Sequence, residues 1–228
     1  MNSKSILVIQ FRTDQSGPHE QECFHEEYEG FSVDLHFKSA IFDDLDPDQL
    51  RNYDGLILGG RGEHYLTKGA GQDDWLDDTY SLLGEALDND MHTLGVCFGS
   101  QILALHQGGE LSDEEKYHES GSYKICLEEN AEDCEIFSKF DSSFHATLAH
   151  RDTPIKLPDH FVPLASSELV PYQAFRIVDK PAWGTLFHPE LNRERLNYRL
   201  RLYPAYVENE HLLNEVMDGF KDTSLSSK

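Results

Sequence analysis

Cysteine is scarce in this sequence of 228 residues. Its four cysteines are Cys23, Cys97, Cys126 and Cys134, and no two of them have the CxxC spacing. Four cysteines are too few for a disulfide scaffold at this length, and without a CxxC pair neither a zinc ribbon nor a thioredoxin-type redox site is indicated. The 12 histidines lack the spacing of helical metal ligands. We therefore expect reduced thiols, a cytoplasmic protein, and neither a metal nor another cofactor.

Positive charge is also scarce. Lysine and arginine number 19 against 42 aspartates and glutamates, which gives a formal net charge of −23. Binding to nucleic acid or to anionic membrane surfaces needs clustered lysine and arginine. The composition therefore argues against a nucleic-acid partner and against docking on membranes. Most of the acidic side chains are expected to form a solvated surface.

Long apolar runs are absent from the sequence. The run at residues 6–9 is too short for the core of a signal peptide, and no stretch approaches the roughly 18 apolar residues of a membrane span. Hydrophobic residues still make up 39% of the chain, enough for a sizeable core. We predict one domain over residues 1–220 and a disordered polar tail at residues 221–228.

The first half of the chain alternates strand-like and helix-like segments. Strands are predicted at residues 5–11, 31–37, 55–58 and 92–96, and helices at residues 19–28, 73–90 and 100–107. This order is typical of an α/β fold, a parallel sheet with helices on both faces. The second half is predicted to hold short strands at residues 122–127, 146–149, 173–178 and 183–187, then a helix-rich segment at residues 192–220 with a break at Pro204.

A cysteine follows the fourth predicted strand, in the segment from Gly95 to Gly99. This segment has the G-x-nucleophile-x-G pattern, with Cys97 in the place of serine. A nucleophile on a strained tight turn needs small neighbours, and the two glycines meet that need. The following helix would favour the thiolate, and the N–H of Phe98 is free to stabilise an oxyanion. The alternative is a buried cysteine in a glycine-containing turn.

A histidine and an acid follow the last predicted strand as His188-Pro189-Glu190. In extended backbone, residues two apart face the same way, so Glu190 can accept a hydrogen bond from one imidazole nitrogen and leave the other for Cys97. Pro189 stiffens this spacing. The alternative is that the tripeptide only starts the C-terminal helix.

Glycines also follow the third predicted strand, in Gly59-Gly60-Arg61-Gly62. Glycines at this place let backbone N–H groups approach a ligand closely. The N–H of Gly60 is the natural second oxyanion donor beside that of Phe98. The alternatives are a plain tight turn and a phosphate cradle.

Together these motifs resemble the class I, triad-type, glutamine amidotransferases, and especially the glutaminase domain of GMP synthases. Further segments match in order: His150-Arg151-Asp152, Gln173-Ala174-Phe175 and Trp183-Gly184. The resemblance spans roughly residues 6–190. It implies a flavodoxin-like three-layer α/β/α sandwich with a mainly parallel central sheet and a nucleophile elbow.

The resemblance also implies roles for individual residues. In the catalytic triad, Cys97 is the nucleophile, His188 the general base and acid, and Glu190 the residue that orients it. Backbone N–H groups of Gly60 and Phe98 are the implied oxyanion donors. The implied substrate-binding residues are Gln101, Arg151 and Asp152.

The implied function is hydrolysis of the glutamine side-chain amide, with ammonia passed to an acceptor on a separate synthase subunit. Two alternatives stay open: a hydrolase of γ-glutamyl peptides or amines, and a catalytically silent regulatory subunit. Three positions depart from the common family pattern, which has histidine at Ser100, proline at Arg61 and glycine at Arg151. Arg151 is expected either to meet a carboxylate on a longer γ-glutamyl substrate or to point to solvent.

Overall fold

A computed structural model describes residues 3–61, 65–69, 74–203, 206–207 and 209–226. Its first half alternates strands and helices, as the sequence predicts. The elements are β1 (Lys4–Phe11), α1 (Ser16–Glu27), β2 (Val33–Ser39), β3 (Gly55–Arg61), α2 (Asp74–Asp88), β4 (His92–Val96) and α3 (Phe98–His106). The predicted start of α2 at Asp73 lies outside the described residues.

The second half is richer in strands than the sequence indicates. Its elements are β5 (Glu110–Ser112), β6 (Glu119–Leu127), β7 (Ser143–His150), β8 (Thr153–Lys156), β9 (Phe161–Ser166), β10 (Ala174–Ile177), β11 (Ala182–Thr185), α4 (Arg193–Leu202) and α5 (Glu210–Asp218). The strands β5, β8 and β9 are not predicted from the sequence. They are short, and β8 and β9 each contain a proline, which weakens a strand prediction.

Nine of these strands form one sheet in the order β2-β1-β3-β4-β11-β10-β9-β6-β7. The pairs from β2 to β11 are parallel, so the predicted parallel core is confirmed. The pairs from β11 to β7 are antiparallel, an extension that the sequence did not predict. In the parallel part, all carboxyl ends of the strands lie at one edge, which is where sites form in α/β folds.

Helices cover both faces of the parallel part. Side chains alternate along β1, so Leu7 and Ile9 join a core with α2 and α3, while Val8 joins a second core with α1. Apolar residues of α4 and α5 pack beside α1 and extend that second layer. Among the residues that the structure describes, no helix is long and apolar enough to cross a membrane.

The C-terminal region agrees with the prediction in its helices and differs in its tail. The predicted helix-rich segment forms two helices, α4 and α5, and the predicted break at Pro204 lies outside the described residues. The described part of the predicted disordered tail, residues 221–226, packs on the domain. Thr223 and Ser226 are buried, and the N–H of Lys221 donates to Ser122 Oγ at 2.7 Å. The small side chains of Thr223 and Ser226 fit these buried positions, although the composition of the segment is that of a polar, disordered tail.

Candidate active site

Cys97 lies between the last residue of β4 and the first residue of α3. Its φ of 49° is in the left-handed region, which a non-glycine residue adopts only under strain. The neighbouring glycines have no room for a side chain. A Cβ on Gly95 would lie 2.6 Å from the carbonyl carbon of Gly99, and a Cβ on Gly99 would lie 2.1 Å from the carbonyl oxygen of Leu58. The segment is therefore a tight elbow that presents one cysteine at the edge of the sheet.

Sheet pairing brings this cysteine to His188. Val96 of β4 pairs with Thr185 of β11, and the N–H of Cys97 donates to the Thr185 carbonyl at 2.7 Å. His188 follows β11 and is fixed by its own N–H, which donates to the Thr147 carbonyl at 2.8 Å. Two adjacent parallel strands thus deliver the thiol and the imidazole to the same edge.

His188, Glu190 and Cys97 form a buried group of titratable side chains. His188 Nδ1 lies 2.7 Å from Glu190 Oε1. Burial alone would lower the pKa of His188, but the charges of Glu190 and Cys97 raise it to about 9. Burial would raise the pKa of Cys97, but the charge of the neighbouring His188 lowers it below its ordinary value. The arrangement favours a thiolate–imidazolium pair.

The glutamate of this group is held in its ionised form. Burial would raise the pKa of Glu190, but the charge and hydrogen bond of His188 lower it to about 2. The backbone carbonyl of Glu190 accepts a hydrogen bond from Arg195 Nη1 at 2.8 Å. An ionised carboxylate at this distance fixes the orientation of the imidazole and stabilises its charged form.

The structure corrects the prediction for Gly60. Its N–H is not free for an oxyanion, because it donates to Glu20 Oε1 of α1 at 3.0 Å. Arg12 Nε donates to the same oxygen at 2.9 Å, and both side chains of this ion pair are buried. A carboxylate at this place also repels the negative charge that an oxyanion would bring.

Arg12 and Glu20 are site residues that the sequence motifs do not include. A Cβ on Gly60 would lie 2.6 Å from Arg12 Nη2 and 3.0 Å from His188 Cε1, so the guanidinium approaches the His188 imidazole. The positive charge of Arg12 also helps lower the pKa of Cys97. The sequence contains one indication that Arg12 belongs to the site. Arg12 directly follows the buried strand β1, at the carboxyl edge where the site lies.

The second predicted oxyanion donor is the N–H of Phe98. Phe98 is the first residue of α3, so its N–H has no acceptor within the helix. Ser100, one of the departures from the family pattern, is buried and donates from Oγ to the Cys97 carbonyl at 2.7 Å. Its hydroxyl thus ties the first turn of α3 to the elbow.

Two of the three predicted substrate-binding residues contact each other. Gln101 Nε2 donates to the backbone carbonyl of Asp152 at 2.8 Å, whereas Gln101 Oε1 is buried without a partner among the described residues. The Asp152 carboxylate accepts from Thr67 Oγ1 at 2.6 Å. The amide of Gln101 and the backbone at Asp152 therefore form one wall of the site.

The third predicted substrate-binding residue, Arg151, belongs to a cluster with Arg61 and two tyrosines. The guanidinium carbon of Arg61 lies 3.7 Å from the ring centre of Tyr65, and Arg61 Nε donates to the Tyr206 hydroxyl at 3.2 Å. Arg151 lies on the same Tyr206 ring, 5.7 Å from its centre. We call these four residues the arginine–tyrosine cluster. Tyr65 and Tyr206 carry no motif in the sequence.

Behind this wall, His150 is a buried hydrogen-bonding residue. Its Nε2 lies 2.9 Å from Glu119 Oε2, and its Nδ1 lies 3.2 Å from Thr153 Oγ1. Burial lowers the pKa of His150. Glu119 also accepts from Gln173 Nε2 at 2.5 Å, so it anchors the segment around Arg151. Within the described ranges, no three histidine, cysteine or acidic side chains converge in a way that would hold a metal ion.

The sequence matches the family "Glutamine amidotransferase class-I" over residues 27–200. A relative from Thermoplasma acidophilum, named as one subunit of a glutamine-hydrolysing GMP synthase, is 32% identical over 164 residues, covering 72% of this chain and 76% of the relative. A relative of the same name from Archaeoglobus fulgidus is 27% identical over 176 residues, covering 77% of this chain and 86% of the relative.

Solved structures show the same fold. A glutamine amidotransferase from Thermotoga maritima superposes with a TM-score of 0.71 at 22% identity, over 96% of this chain and 90% of that one. A glutamine amido transferase from Methylobacillus flagellatus superposes with a TM-score of 0.72 at 23% identity, over 89% of this chain and 77% of that one. The fold is thus the flavodoxin-like α/β/α sandwich that the motifs implied. From the family match and this architecture, we conclude that the chain belongs to the class-I glutamine amidotransferases.

Proposed function

We propose that the protein hydrolyses the side-chain amide of glutamine through a γ-glutamyl thioester on Cys97. The observation that carries the proposal is the placement of Cys97 and His188 at the same sheet edge by the paired strands β4 and β11, with His188 hydrogen-bonded to Glu190. A cysteine on a strained elbow, paired with an imidazole that a carboxylate orients, is the arrangement that thiol nucleophiles use in acyl transfer.

The reaction has two stages. The Cys97 thiolate attacks the carboxamide carbon, the C–N bond breaks, and His188 gives its proton to the leaving ammonia. Water then attacks the thioester carbon while His188 takes up one of its protons. The C–S bond breaks, and glutamate leaves. Glu190 stays ionised throughout and stabilises the imidazolium form.

Oxyanion stabilisation starts from the N–H of Phe98 at the beginning of α3. The N–H of Gly60 can join only after it exchanges its hydrogen bond with Glu20 for one with the oxyanion. The Arg12 guanidinium, close to Gly60 and His188, offsets the charge of Glu20 on that side.

For substrate binding, the unpaired Gln101 Oε1 supports a role as acceptor for the α-ammonium of the substrate, because a buried acceptor without a partner is costly. The backbone at Arg151 and Asp152 adjoins it and would hold the same end of the γ-glutamyl group. The names of the two relatives support a further step, in which the ammonia is passed to a separate synthase subunit.

The test is release of glutamate and ammonia from glutamine by the purified protein. We expect wild type and Cys23→Ala to release both, and Cys97→Ala to release neither. Cys23 is a matched control because it is also a buried free cysteine. Equal release by wild type and Cys97→Ala would refute the thioester route. A wild type that is inactive both alone and with a synthase subunit would favour a silent regulatory role.

A further inference from the structure

Two arginines stand at positions where the family commonly has proline and glycine, and the structure brings them to one tyrosine. The guanidinium carbons of Arg61 and Arg151 each lie 5.7 Å from the centre of the Tyr206 ring. Arg61 is the last residue of β3, Arg151 follows β7, and Tyr206 follows α4. Three distant parts of the chain therefore converge, in a protein whose formal net charge is −23.

Both arginines come from segments that touch the catalytic groups. Arg61 directly follows Gly60, where an added Cβ would lie 3.0 Å from His188 Cε1. Arg151 lies two residues after Ala149, whose carbonyl oxygen is 3.9 Å from Cys97 Sγ. The arginine–tyrosine cluster is thus beside the thiol and the imidazole, and Arg61 lies on the imidazole side.

The polar groups of the cluster can receive an anion. Arg151 is half-buried and forms no ion pair within the described part of the chain. The Tyr206 hydroxyl accepts from Arg61, and its own proton has no acceptor among the residues that the structure covers. Burial raises the pKa of Tyr206 to about 12, so the hydroxyl keeps that proton. A guanidinium and a hydroxyl donor side by side match a carboxylate.

The position of His188 indicates which carboxylate of the substrate the arginine–tyrosine cluster would bind. Every γ-glutamyl compound carries an α-carboxylate on the γ-glutamyl group itself. The leaving nitrogen, however, receives its proton from His188, so the leaving group departs on the imidazole side, where Gly60 leads into Arg61. A carboxylate carried by the leaving group would therefore reach the cluster.

We infer that the protein acts on γ-glutamyl compounds whose leaving group carries a carboxylate, such as γ-glutamyl amino acids, with Arg151 and Tyr206 binding that carboxylate. The inference rests on the proposed Cys97 chemistry and extends it beyond glutamine, whose leaving group is ammonia, to substrates with a larger leaving group. The bonds are those of the amide reaction: the S–C bond forms, the C–N bond breaks, and His188 protonates the departing amino acid. Water then cleaves the thioester and glutamate leaves.

The test compares γ-glutamylglycine with γ-glutamylglycinamide. The two substrates share the γ-glutamyl group and the length of the leaving group, and differ only in its terminal charge. We expect wild type to favour the acid in kcat/KM by about ten- to a hundredfold. We expect Arg151→Gln to lose most of this preference and Tyr206→Phe to lose part of it. A ratio of rates is unaffected by the folded fraction of a variant.

Arg51→Gln is the matched control, because Arg51 is exposed near the opposite end of β3. It removes the same charge and should keep the wild-type ratio. Equal use of both dipeptides by wild type, or an unchanged ratio in Arg151→Gln, would overturn the inference and leave the proposed glutamine hydrolysis standing. No Cys97-dependent release from glutamine or from either dipeptide would overturn both.

Discussion

The backbone N–H of Gly60 donates a hydrogen bond to the carboxylate of Glu20 at 3.0 Å. Through this contact, helix α1 holds the end of β3 in place close to Cys97. The family motifs include no residue of α1. The carboxylate is compensated by Arg12, so strand end, helix and guanidinium form one buried polar unit. The geometry of the site therefore depends on the packing of α1 against the sheet.

Replacing Glu20 with glutamine should destabilise the protein strongly. The carboxamide oxygen can still accept from Gly60, but the buried Arg12 charge loses its counter-ion. Breaking a buried pair in this way typically costs about 3–5 kcal/mol. Urea unfolding measures the change. Glu22→Gln, at an exposed position of the same helix, should stay within about 0.5 kcal/mol of wild type. Similar losses in both variants would show that the pair has no special role.

Alkylation of Cys97 should persist to lower pH than alkylation of a free cysteine. The thiolate is the reactive form, and its rate falls as the pH drops through the pKa. Because His188 lowers the pKa of Cys97, we expect its rate to reach half its maximum at a lower pH than that of an ordinary cysteine. Iodoacetamide labelling followed by peptide mass spectrometry measures this.

His188→Gln should move the Cys97 labelling profile to higher pH, because the stabilising imidazolium is lost. Cys126, which is exposed in the same molecule, is the internal control and should label equally in both proteins. An unshifted Cys97 profile would contradict the lowering of the Cys97 pKa by His188.

Glu190→Gln should keep the fold and slow glutamine hydrolysis by about a hundredfold, the usual contribution of acid–base catalysis. Glutamine cannot stabilise the imidazolium as a carboxylate does, so the pKa of His188 should fall from about 9. Steady-state kinetics with a pH profile measures both effects. Glu194→Gln, on the exposed side of α4, should be indistinguishable from wild type. A wild-type rate in Glu190→Gln would remove Glu190 from the triad.

Gly99→Ala should destabilise the protein by about 3 kcal/mol, the upper end of the usual cost of overpacking. The added Cβ would lie 2.1 Å from the Leu58 carbonyl oxygen, a backbone atom that cannot move aside cheaply. Gly84→Ala, inside α2, is the contrasting variant. There the nearest side-chain atom would be 3.6 Å away, and alanine should stabilise the helix by about 0.5–1 kcal/mol. Thermal unfolding distinguishes the two.

The parallel half of the fold could be predicted because its determinants are local. Strands β1, β3 and β4 are short apolar segments followed by glycines or a helix, β2 alternates apolar and polar residues, and the elbow needs only Gly95, Cys97 and Gly99 in sequence. The contact between His188 and Glu190 could be predicted from their spacing of two residues, although the structure makes it through a turn at Pro189 and Glu190 rather than through the expected extended backbone. Local patterns of this kind can be recognised in a single sequence without knowledge of its three-dimensional contacts.

The rest depends on long-range packing that no local pattern records. Glu20 reads as one of many acids on a polar helix, yet it is buried against Gly60. Tyr206 reads as part of a polar stretch, yet it joins two arginines from distant strands. The short strands β8 and β9 contain prolines and exist because neighbouring strands supply their hydrogen bonds.

The hydrogen bond between the Cys97 N–H and the Thr185 carbonyl has a consequence for synthesis of the protein. A nascent chain that has left the ribosome only as far as α3 already holds Cys97. It lacks the proposed base, because β11 and His188 have not yet been translated. The proposed hydrolysis can therefore begin only when almost the whole domain has been made and its last central strand has entered the sheet.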